Sequence, residues 1–457
     1  MQQDEGVGIR RMAERAVVVG GSVAGLLAAR VLADAVDEVV LVERDAWPEE
    51  PGHRRGVPQD RQPHLLLGRG RDVLDRLLPG FSDDVVAAGG YEWDLQGDGR
   101  YFSEAGLLAH RPGGMVGVAA SRPLLEFVLR RRVTGLPGVT PVVRATAEPV
   151  LRGDRVVGVR VRSGAGDEHE VAAGVVVDAT GRGSHLPSWL ERQGYGRPPE
   201  TSLQLGLSYT TWTFPREPGD LDGAALCVVT AEPDLPRGGS ACAIEGDRWL
   251  VTASAYYGVT APRDRAGFQA FLDTLISPEI GRLIRGREPV APAPVLHRMP
   301  ASTRRHYERL SRRPEGLLVL GDAYASLNPL YGQGMTVAAL EAMALRSDVA
   351  HGLDGLADRS ARSTARAAST AWDMSVSGDL RLPGVPGRRP LSTRLLNAWV
   401  DRVVRAASTD AEVADAFLRT VNLMRRPESL LSPTLAVRVL RSRRAAHTMT
   451  ASSAAQA

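Results

Sequence analysis

The sequence contains no lysine, so all 56 of its basic residues are arginines and no lysine amine is available for catalysis. The 53 acidic residues nearly balance them, which leaves a net charge of +3. A balance this close gives no argument for nucleic acid or an anionic membrane as the main partner. The 457 residues allow two or three domains, since a domain has about 150 residues.

Cysteines are scarce and long apolar runs are absent. Cys227 and Cys242 are too few for a disulfide framework or a four-thiolate metal site, and we expect buried thiols in a reducing cytoplasm. The nine histidines show no paired spacing, so no metal is expected. No run approaches the roughly 18 apolar residues of a membrane span. Arg10-Arg11 precedes a small-residue stretch, but the glycines that follow favour a folded strand, turn and helix over an export signal.

Two patterns divide the chain. Short buried strands alternate with helices in the first half, which predicts a parallel sheet covered by helices. The strands expected in this sheet are Ala16–Val19, Val39–Val42, Gly174–Asp178 and Leu317–Leu320. A hairpin is expected over Val150–Val161, and alternating residues between 200 and 300 predict an antiparallel sheet. A connector rich in proline and glycine, Leu382–Pro390, precedes a helical part from about 391 to 444.

A glycine-rich turn, Gly20-Gly21-Ser22-Val23-Ala24-Gly25, joins the first predicted strand to the first predicted helix. Gly20 permits the tight turn, Gly25 lets helix and strand approach, and the helix N-terminus offers N–H groups to a pyrophosphate. Glu43 ends the next strand, where an acid would accept hydrogen bonds from a ribose diol. Ser22 stands where a middle glycine is usual, so its side chain must turn aside. Together these features predict a dinucleotide site.

Two further segments distinguish the kind of cofactor. Asp178-Ala179-Thr180-Gly181-Arg182 follows one buried strand, and Gly321-Asp322-Ala323 follows another. With the glycine turn, these segments resemble the single-component, class A flavoprotein monooxygenases, which have the para-hydroxybenzoate hydroxylase fold, over residues 16 to about 350. Four strings are similar to actinobacterial epoxidases of polyether biosynthesis: Gly56-Val57-Pro58-Gln59, Ser121-Arg122-Pro123-Leu124-Leu125, the stretch from Asp178 to Ser184 and the stretch from Gly321 to Met335.

The resemblance implies FAD as the cofactor and suggests roles for single residues. Asp322 would bind the ribitol hydroxyls, Arg122 would reach the pyrophosphate or the flavin side, and Arg54 and Gln59 would line the same cofactor. The turn from Pro329 to Met335 would lie beside the isoalloxazine, because N–H groups at a helix start stabilise the negative charge of reduced flavin. The other cofactor residues that the resemblance implies are Gly20, Gly21, Ser22, Ala24, Gly25, Glu43, Arg44, Asp178, Gly181, Gly321, Gly332, Gln333 and Gly334.

Other arginines and aromatic residues near these segments receive no role. Because the chain is rich in arginine, we expect Arg182, Arg304 and Arg305 to be solvated surface residues. Three aromatic residues are expected in the core rather than in a pocket: Tyr324, Tyr331 and Trp212.

The resemblance also suggests a reaction. In such enzymes reduced FAD adds O2 at C4a to form a hydroperoxide, and its distal oxygen goes to an electron-rich substrate. Epoxidation of an alkene needs no protein base, whereas phenol hydroxylation usually does. No residue is a convincing base, so the catalytic residues stay unassigned and epoxidation of a polyketide or terpenoid olefin is favoured. The alternatives are hydroxylation of an aromatic or polycyclic polyketide, reduction of double bonds by a geranylgeranyl-reductase-like enzyme, and a flavoprotein that only binds.

Two classes of flavin enzyme are excluded. Flavin-dependent halogenases rely on a lysine, which this chain lacks. Baeyer–Villiger enzymes with two dinucleotide domains would have a second glycine fingerprint, and the sequence has none. Electrons would therefore come from NAD(P)H at a surface cleft or from a separate flavin reductase. The other expected partners are O2 and a small apolar substrate.

The patterns and the resemblance together predict an α/β fold in three parts. Residues 1–199 and 301–380 would form a Rossmann-like FAD-binding domain with a parallel sheet and a β-meander. Residues 200–300 would form an antiparallel-sheet substrate domain, and residues 381–457 a C-terminal helical region with a disordered tail. The expected setting is a cytoplasmic enzyme of secondary metabolism, such as antibiotic biosynthesis.

Overall fold

The computed structural model describes residues 13–442, so the predictions for Arg10-Arg11 and for the C-terminal tail lie outside the described residues. The strands in this range are β1 (Ala13–Val19), β2 (Val36–Glu43), β3 (Leu65–Leu66), β4 (Tyr91–Asp94), β5 (Gly99–Ser103), β6 (Gly106–Leu107), β7 (Val116–Ala119), β8 (Val139–Val143), β9 (Ala145–Arg152), β10 (Arg155–Ser163), β11 (Glu168–Ala172), β12 (Val175–Asp178), β13 (Glu200–Pro215), β14 (Leu226–Val229), β15 (Arg237–Ile244), β16 (Arg248–Ala255), β17 (Val295–Arg305), β18 (Leu317–Val319) and β19 (Ala325–Ser326). The α-helices are α1 (Val23–Leu32), α2 (Gly68–Leu77), α3 (Phe81–Ala87), α4 (Arg122–Thr134), α5 (Leu186–Arg192), α6 (Arg265–Asp273), α7 (Glu279–Ile284), α8 (Gly334–Val349), α9 (Leu356–Asp379), α10 (Leu391–Ala407) and α11 (Ala411–Val421). Residues 433–442 are also helical.

Five valine-rich strands form the predicted parallel sheet, in the order β18-β12-β1-β2-β8. The apolar stretches of its central strands, β12, β1 and β2, are buried on both faces, whereas the edge strand β8 is mostly exposed. On one face Val18 packs in the cluster that includes α1, α4 and α8. On the other face Val17 packs in the cluster that includes the antiparallel meander β9-β10-β11. This is the Rossmann-like arrangement with a β-meander that the sequence predicts.

The second large sheet has the order β19-β17-β13-β16-β15-β14-β5-β6. Its central strands come from the range 200–300, but β5, β6 and β19 lie outside that range and β17 runs to Arg305. The sheet is therefore wider than predicted, because β5 pairs in parallel with β14 across more than a hundred residues. The division of the chain into three domains stays a prediction. Cys227 and Cys242 are both buried in this sheet, and burial raises the pKa of each thiol to about 12.

The C-terminal helices pack against this second sheet. Val403 of α10 and Phe417 of α11 belong to the same apolar cluster as Trp212 of β13. The predicted connector before α10 is irregular, and Arg389 holds it by donating hydrogen bonds to the carbonyls of Leu380, Leu382 and Val385. None of the helices between residues 13 and 442 combines the length and apolar character needed to cross a bilayer. α10 and α11 thus form one wall of the region that the sheet borders.

Candidate cofactor and substrate site

The glycine turn between β1 and α1 has almost no room for side chains. Gly20 has a φ of +109°, and a Cβ there would lie 2.4 Å from the carbonyl oxygen of Ala179. A Cβ on Gly25 would lie 1.7 Å from the carbonyl oxygen of Gly20. Both glycines are therefore needed for α1 to approach the ends of β1 and β12. This close packing brings the N-terminus of α1 to the edge of a large cavity.

Glu43, the last residue of β2, supports this turn from the side. Its Oε2 accepts a hydrogen bond of 2.7 Å from the Gly21 N–H, and its Oε1 accepts one of 2.9 Å from the Asp45 N–H. Arg54 Nη1 lies 3.3 Å from the same Oε2. Burial opposes the charge of Arg54, but the carboxylates of Glu126, Glu43 and Asp45 raise its pKa. A carboxylate oxygen can accept two hydrogen bonds, so Glu43 keeps capacity for a ribose hydroxyl.

The Ser22 side chain turns aside, as its place in the glycine turn requires. Its Oγ donates a hydrogen bond of 2.7 Å to Glu126 Oε2 and accepts one of 2.8 Å from Arg122 Nη2. Arg54 Nε donates a hydrogen bond of 2.8 Å to the other oxygen of Glu126. Burial alone would raise the pKa of Glu126, but Arg122, Arg54 and Ser22 hold it below its usual value. Glu126 thus fixes two guanidinium groups beside the turn.

Arg44 and Gln59 follow the same edge of the cavity. Arg44 is exposed and its Nη2 donates a long hydrogen bond of 3.4 Å to the Gly56 carbonyl. Gln59 lies in the adjoining loop, and both residues line the cavity as predicted. These two side chains carry few internal contacts, so they are available to a ligand.

Asp178 ends β12 and shapes the loop that follows it. Its Oδ1 accepts hydrogen bonds of 2.9 Å and 2.6 Å from the N–H and Oγ1 of Thr180, and its Oδ2 accepts one from Ser184 Oγ. Gly181 continues the loop with a φ of +81°. The carboxylate therefore holds its own loop together, and its direct contact with a cofactor stays a prediction.

The turn after β18 presents an acid without a partner. Gly321 has a φ of +68°, and a Cβ there would lie 2.6 Å from the Ala24 Cβ, so only glycine fits against α1. The Gly321 N–H donates a hydrogen bond of 2.6 Å to Glu341 Oε2 in α8. Asp322 lines the cavity, and no residue between 13 and 442 donates a hydrogen bond to its carboxylate. Loss of hydration raises the pKa of Asp322, although the guanidinium groups of Arg122 and Arg182 act to lower it. Its oxygens are thus free to accept hydrogen bonds from ribitol hydroxyls.

The turn before α8 also opens into the cavity. Asn328 caps this turn by accepting a hydrogen bond of 3.0 Å from the N–H two residues on, and Gly332 has a φ of +66°. A Cβ on Gly332 or Gly334 would have no atom within 4 Å. Gln333 Nε2 ties the turn to α11 through a hydrogen bond of 2.9 Å to the Val421 carbonyl. The free N–H groups and the positive dipole end of α8 therefore border open space.

One cavity of about 1210 Å³ joins all these segments. Every predicted cofactor residue except Gly25, which packs behind the turn, lines it. The volume exceeds the roughly 300–1,000 Å³ of ordinary ligand pockets, so it leaves room for a second molecule beside a dinucleotide. The antiparallel sheet and the C-terminal helices supply an apolar wall with Leu226, Val228, Met299, Trp399, Val400, Phe417, Val421 and Leu430.

A polar cluster interrupts this apolar wall where α9 ends. Asp379 is wholly buried, and its Oδ1 accepts hydrogen bonds from Asn328 Nδ2 at 2.8 Å, Tyr331 OH at 3.1 Å and Tyr256 OH at 3.3 Å. Its Oδ2 is buried without a partner. Tyr256, Asn328 and Tyr331 line the cavity, and Asp379 lies behind them. The cluster thus places three hydrogen-bonding side chains beside the turn that precedes α8.

Three expectations about side chains near the site are wrong. Arg305 is mostly buried rather than solvated, because its guanidinium donates hydrogen bonds to two backbone carbonyls. Arg304 is buried rather than solvated, because β17 places it under α9, where its Nη2 donates a hydrogen bond of 3.1 Å to a backbone carbonyl. Tyr331 lines the cavity rather than packing in the core. Tyr324 and Trp212 are buried core residues, as expected, and Arg182 is exposed but borders the cavity.

The residues present fit FAD. Within residues 13–442, Asp322 accepts no hydrogen bond at the cavity, which suits ribitol hydroxyls, and Glu43 keeps spare acceptor capacity, which suits a ribose. Arg122 and Arg54 supply positive charge beside the α1 N-terminus, as a pyrophosphate requires. Within residues 13–442, no group of three or more His, Cys, Asp or Glu side chains is arranged to hold a metal ion.

Comparison with known proteins places the chain in a family. It is 36% identical to protein Rv3254 of Mycobacterium tuberculosis over 427 residues, which cover 90% of each chain. The chain belongs to the Rv3254 family. In this member of the Rv3254 family, residues 252–367 also match the squalene epoxidase family. That stretch includes the Gly321-Asp322 turn and the turn before α8.

Solved structures share the fold of this Rv3254 family member. p-Nitrophenol 4-monooxygenase PnpA from Pseudomonas putida DLL-E4 has a TM-score of 0.63 and 17% identity, and the match covers 91% of this chain and 97% of PnpA. The flavin-dependent brominase Bmp2 has a TM-score of 0.62 and 16% identity, over 89% of this chain and 92% of Bmp2. The predicted fold class, an α/β fold with a parallel sheet, a β-meander, an antiparallel sheet and C-terminal helices, is confirmed. The specific likeness to polyether epoxidases stays a prediction.

Sequence reasoning missed three buried acids at the site: Glu126, Glu341 and Asp379. Glu126 had a detectable signal, because it follows Arg122 by four residues in a helix. Glu341 and Asp379 had none, since their partners Gly321 and Asn328 lie 20 and 51 residues away along the chain. Only the packing of α8 and α9 brings these acids to the turns that border the cavity.

Proposed function

We propose that this protein is an FAD-dependent monooxygenase that transfers one oxygen atom of O2 to a small apolar substrate. The observation that carries the proposal is the single cavity that joins the β1 glycine turn, Asp322 and the turn before α8 to an apolar wall. When bound, FAD supplies the activation of dioxygen and the transfer of electrons. The shared fold of PnpA and Bmp2 supports the proposal.

Individual residues would hold the cofactor as follows. Glu43 accepts hydrogen bonds from the ribose of the adenosine part, and Arg122 and Arg54 bind the pyrophosphate at the α1 N-terminus. Asp322 accepts hydrogen bonds from the ribitol. The N-terminus of α8, with Gly332 and Gly334, stabilises negative charge on the flavin ring system. The side chains of these residues orient the cofactor and take no part in covalent chemistry.

We propose an olefin of a polyketide or terpenoid as the oxygen acceptor, which makes the reaction an epoxidation. The apolar wall formed by the antiparallel sheet, α10 and α11 supports this choice, because it would exclude water from a long apolar chain. The match of residues 252–367 to the squalene epoxidase family supports it as well. The absence of lysine argues against halogenation, although Bmp2 shares the fold.

Hydroxylation of an aromatic or polycyclic polyketide is the second candidate, and the polar cluster at Asp379 favours it. Two tyrosine hydroxyls, held in place by a buried carboxylate behind them, are suited to contact the hydroxyl of a phenolic substrate. For both candidates the electrons come from NAD(P)H or from a separate flavin reductase.

Turnover under isotopically labelled dioxygen tests the proposal. Purified enzyme is supplied with FAD, NADH or NADPH, a flavin reductase in a parallel sample, and a panel of polyenes and phenols. The proposal predicts that mass spectrometry finds one labelled oxygen in the product. A product that gains two hydrogens and no oxygen would assign the protein to the double-bond reductases instead.

A further inference from the structure

The polar cluster at the end of α9, formed by Asp379, Tyr256, Asn328 and Tyr331, is tightly packed. A Cβ on Gly378 would lie 2.5 Å from the Tyr331 OH, so only glycine at this position lets that hydroxyl reach Asp379. Asn328 Nδ2 donates a second hydrogen bond, of 2.9 Å, to the Tyr256 OH. Tyr256 therefore donates to Asp379 and accepts from Asn328. Tyr331 donates to Asp379, and no residue in the described part of the chain donates to its oxygen.

An ionised carboxylate fixes the direction of these hydrogen bonds, because it can only accept. The proton of Tyr331 is then committed to Asp379, and the lone pairs of the Tyr331 oxygen stay unused at the cavity wall. The wall thus offers one hydrogen-bond acceptor, to which the hydroxyl of a ligand can donate.

We propose that Tyr331, oriented by Asp379, is a hydrogen-bond-accepting subsite that selects substrates carrying a hydroxyl group. The ligand hydroxyl donates to Tyr331, while the rest of the substrate packs on the apolar wall. Asp379 is a positioning residue, since it touches Tyr331 and not the cavity. The inference rests on the proposed function and specifies the substrate class: an apolar chain or ring system with a free hydroxyl.

The charges around the cluster give the subsite a defined pH dependence. Burial raises the pKa of Asp379 to about 7, against hydrogen bonds from Asn328, Tyr331 and Tyr256 that favour the carboxylate. Burial also keeps the pKa of Tyr331 and of Tyr256 well above 10. The remaining charged or titratable neighbours are Arg381, whose guanidinium is paired with Asp401 at 2.6 Å and with Glu232 at 3.3 Å, and the hydroxyls of Tyr257 and Tyr101.

The sign of the effect follows from these groups. Above a pH of about 7, Asp379 is ionised and Tyr331 presents its lone pairs to the cavity. Below that pH, Asp379 is neutral and its Oδ1 is a weaker acceptor, so it holds the proton of the Tyr331 hydroxyl less firmly. The affinity for a ligand hydroxyl therefore increases as the pH rises through about 7.

Matched alcohol and ether ligands test the subsite in the FAD-loaded enzyme. The probes are farnesol with farnesyl methyl ether, and 2-naphthol with 2-methoxynaphthalene, and binding is followed by the flavin absorbance and by calorimetry. We expect the wild type to prefer each alcohol over its ether by roughly tenfold, the effect of one hydrogen bond. Tyr331→Phe abolishes this preference, and Asp379→Asn abolishes its pH dependence. Tyr257→Phe, which removes a hydroxyl outside the cavity, changes neither.

The outcomes separate this inference from the proposed function. An enzyme that binds FAD but shows no alcohol preference in either pair, or keeps the preference in Tyr331→Phe, would overturn the subsite alone. If Asp379→Asn does not fold, the pH dependence in the wild type and its loss in Tyr331→Phe decide the matter. A protein that binds no FAD would instead contradict the proposed function.

Discussion

At the scale of single residues, burial and the nearest cations together set the pKa of the acids around the cavity. Glu126 lies between two guanidinium groups, and they hold its pKa low although it is buried. Glu341 is buried without a cation, and burial raises its pKa to about 8. Asp322 has a raised pKa and no hydrogen-bond partner in the described chain. The site therefore combines an ionised acid paired with arginines, Glu126, an acid with a strongly raised pKa, Glu341, and an acid whose oxygens can accept hydrogen bonds from a ligand, Asp322.

The substitution Glu341→Gln tests whether burial raises the pKa of Glu341. The folded-state pKa of about 8 exceeds the ordinary value of 4.5, so the folded protein keeps a proton that the unfolded chain has lost. The stability of the wild type must then fall as pH rises towards 8, whereas glutamine accepts the Gly321 hydrogen bond and does not titrate. Between about pH 6 and about pH 8, we expect the wild type to lose roughly 2 kcal/mol relative to the variant. Urea unfolding at both pH values measures this difference, and parallel curves for the two proteins would contradict it.

The substitution Asp322→Ala tests whether the Asp322 carboxylate binds FAD. Removing a charged hydrogen-bond acceptor should weaken FAD binding by roughly tenfold to a hundredfold. Folding should be unaffected, since Asp322 has no internal partner to lose. Equilibrium dialysis gives the FAD affinity and circular dichroism the fold. Asp167→Ala, in an exposed hairpin turn outside the cavity, is the matched control. Equal FAD affinity in both variants would show that Asp322 does not contact the cofactor.

At the scale of elements, the N-termini of α1 and α8 border the cavity, and glycine has a different structural role at each. At α1, glycine is needed so that the helix can approach its strand, because a Cβ on Gly25 would overlap the backbone. At α8, glycine leaves space, because a Cβ on Gly334 would meet nothing. The first glycine supports the fold and the second keeps the cavity open.

A pair of alanine substitutions separates these two roles. Gly25→Ala forces α1 away from β1 and should cost about 3 kcal/mol of stability or more, with loss of FAD. Gly334→Ala should keep the melting temperature and lower only the FAD affinity, since the methyl group enters the cavity. Thermal melting and flavin content of both variants are measured side by side. A stable, FAD-loaded Gly25→Ala variant would refute the packing argument.

The elements that periodicity predicts are those with local patterns. β1, β2, β12 and β18 each contain an apolar run of three or four residues, and the β9-β10 hairpin turns at a Gly-Asp pair, so each was found from the sequence. The pairing of β5 with β14 was not found, because alternation identifies a strand and not its partner. The width of the second sheet could therefore be seen only in the structure.

At the scale of the whole molecule, both large sheets and the C-terminal helices contribute to one cavity. The motifs on the cofactor side were predictable, because glycine turns and strand-end acids have fixed spacings in sequence. The substrate side was not: Asp379 meets Tyr256 and Asn328 only because α9 ends beside β16 and the turn before α8. Function on this side depends on tertiary packing, which leaves no short motif.

Because both sheets border the cavity, FAD should stabilise them together. A ligand that binds only the folded state raises stability with the logarithm of its concentration, by about 2.7 kcal/mol at a hundredfold excess over its Kd. We expect one thermal transition that shifts upward as FAD is added. Two transitions, of which only one responds to FAD, would show that the antiparallel sheet unfolds independently of the cofactor.

The identity of the flavin that the purified protein releases tests the central claim most directly. Denaturation followed by chromatography and fluorescence distinguishes FAD from FMN and gives the amount per chain. The account predicts one FAD per chain, either as purified or after reconstitution with FAD. A protein that releases FMN, or that takes up no flavin at all, would contradict the assignment of the cavity to a dinucleotide flavin.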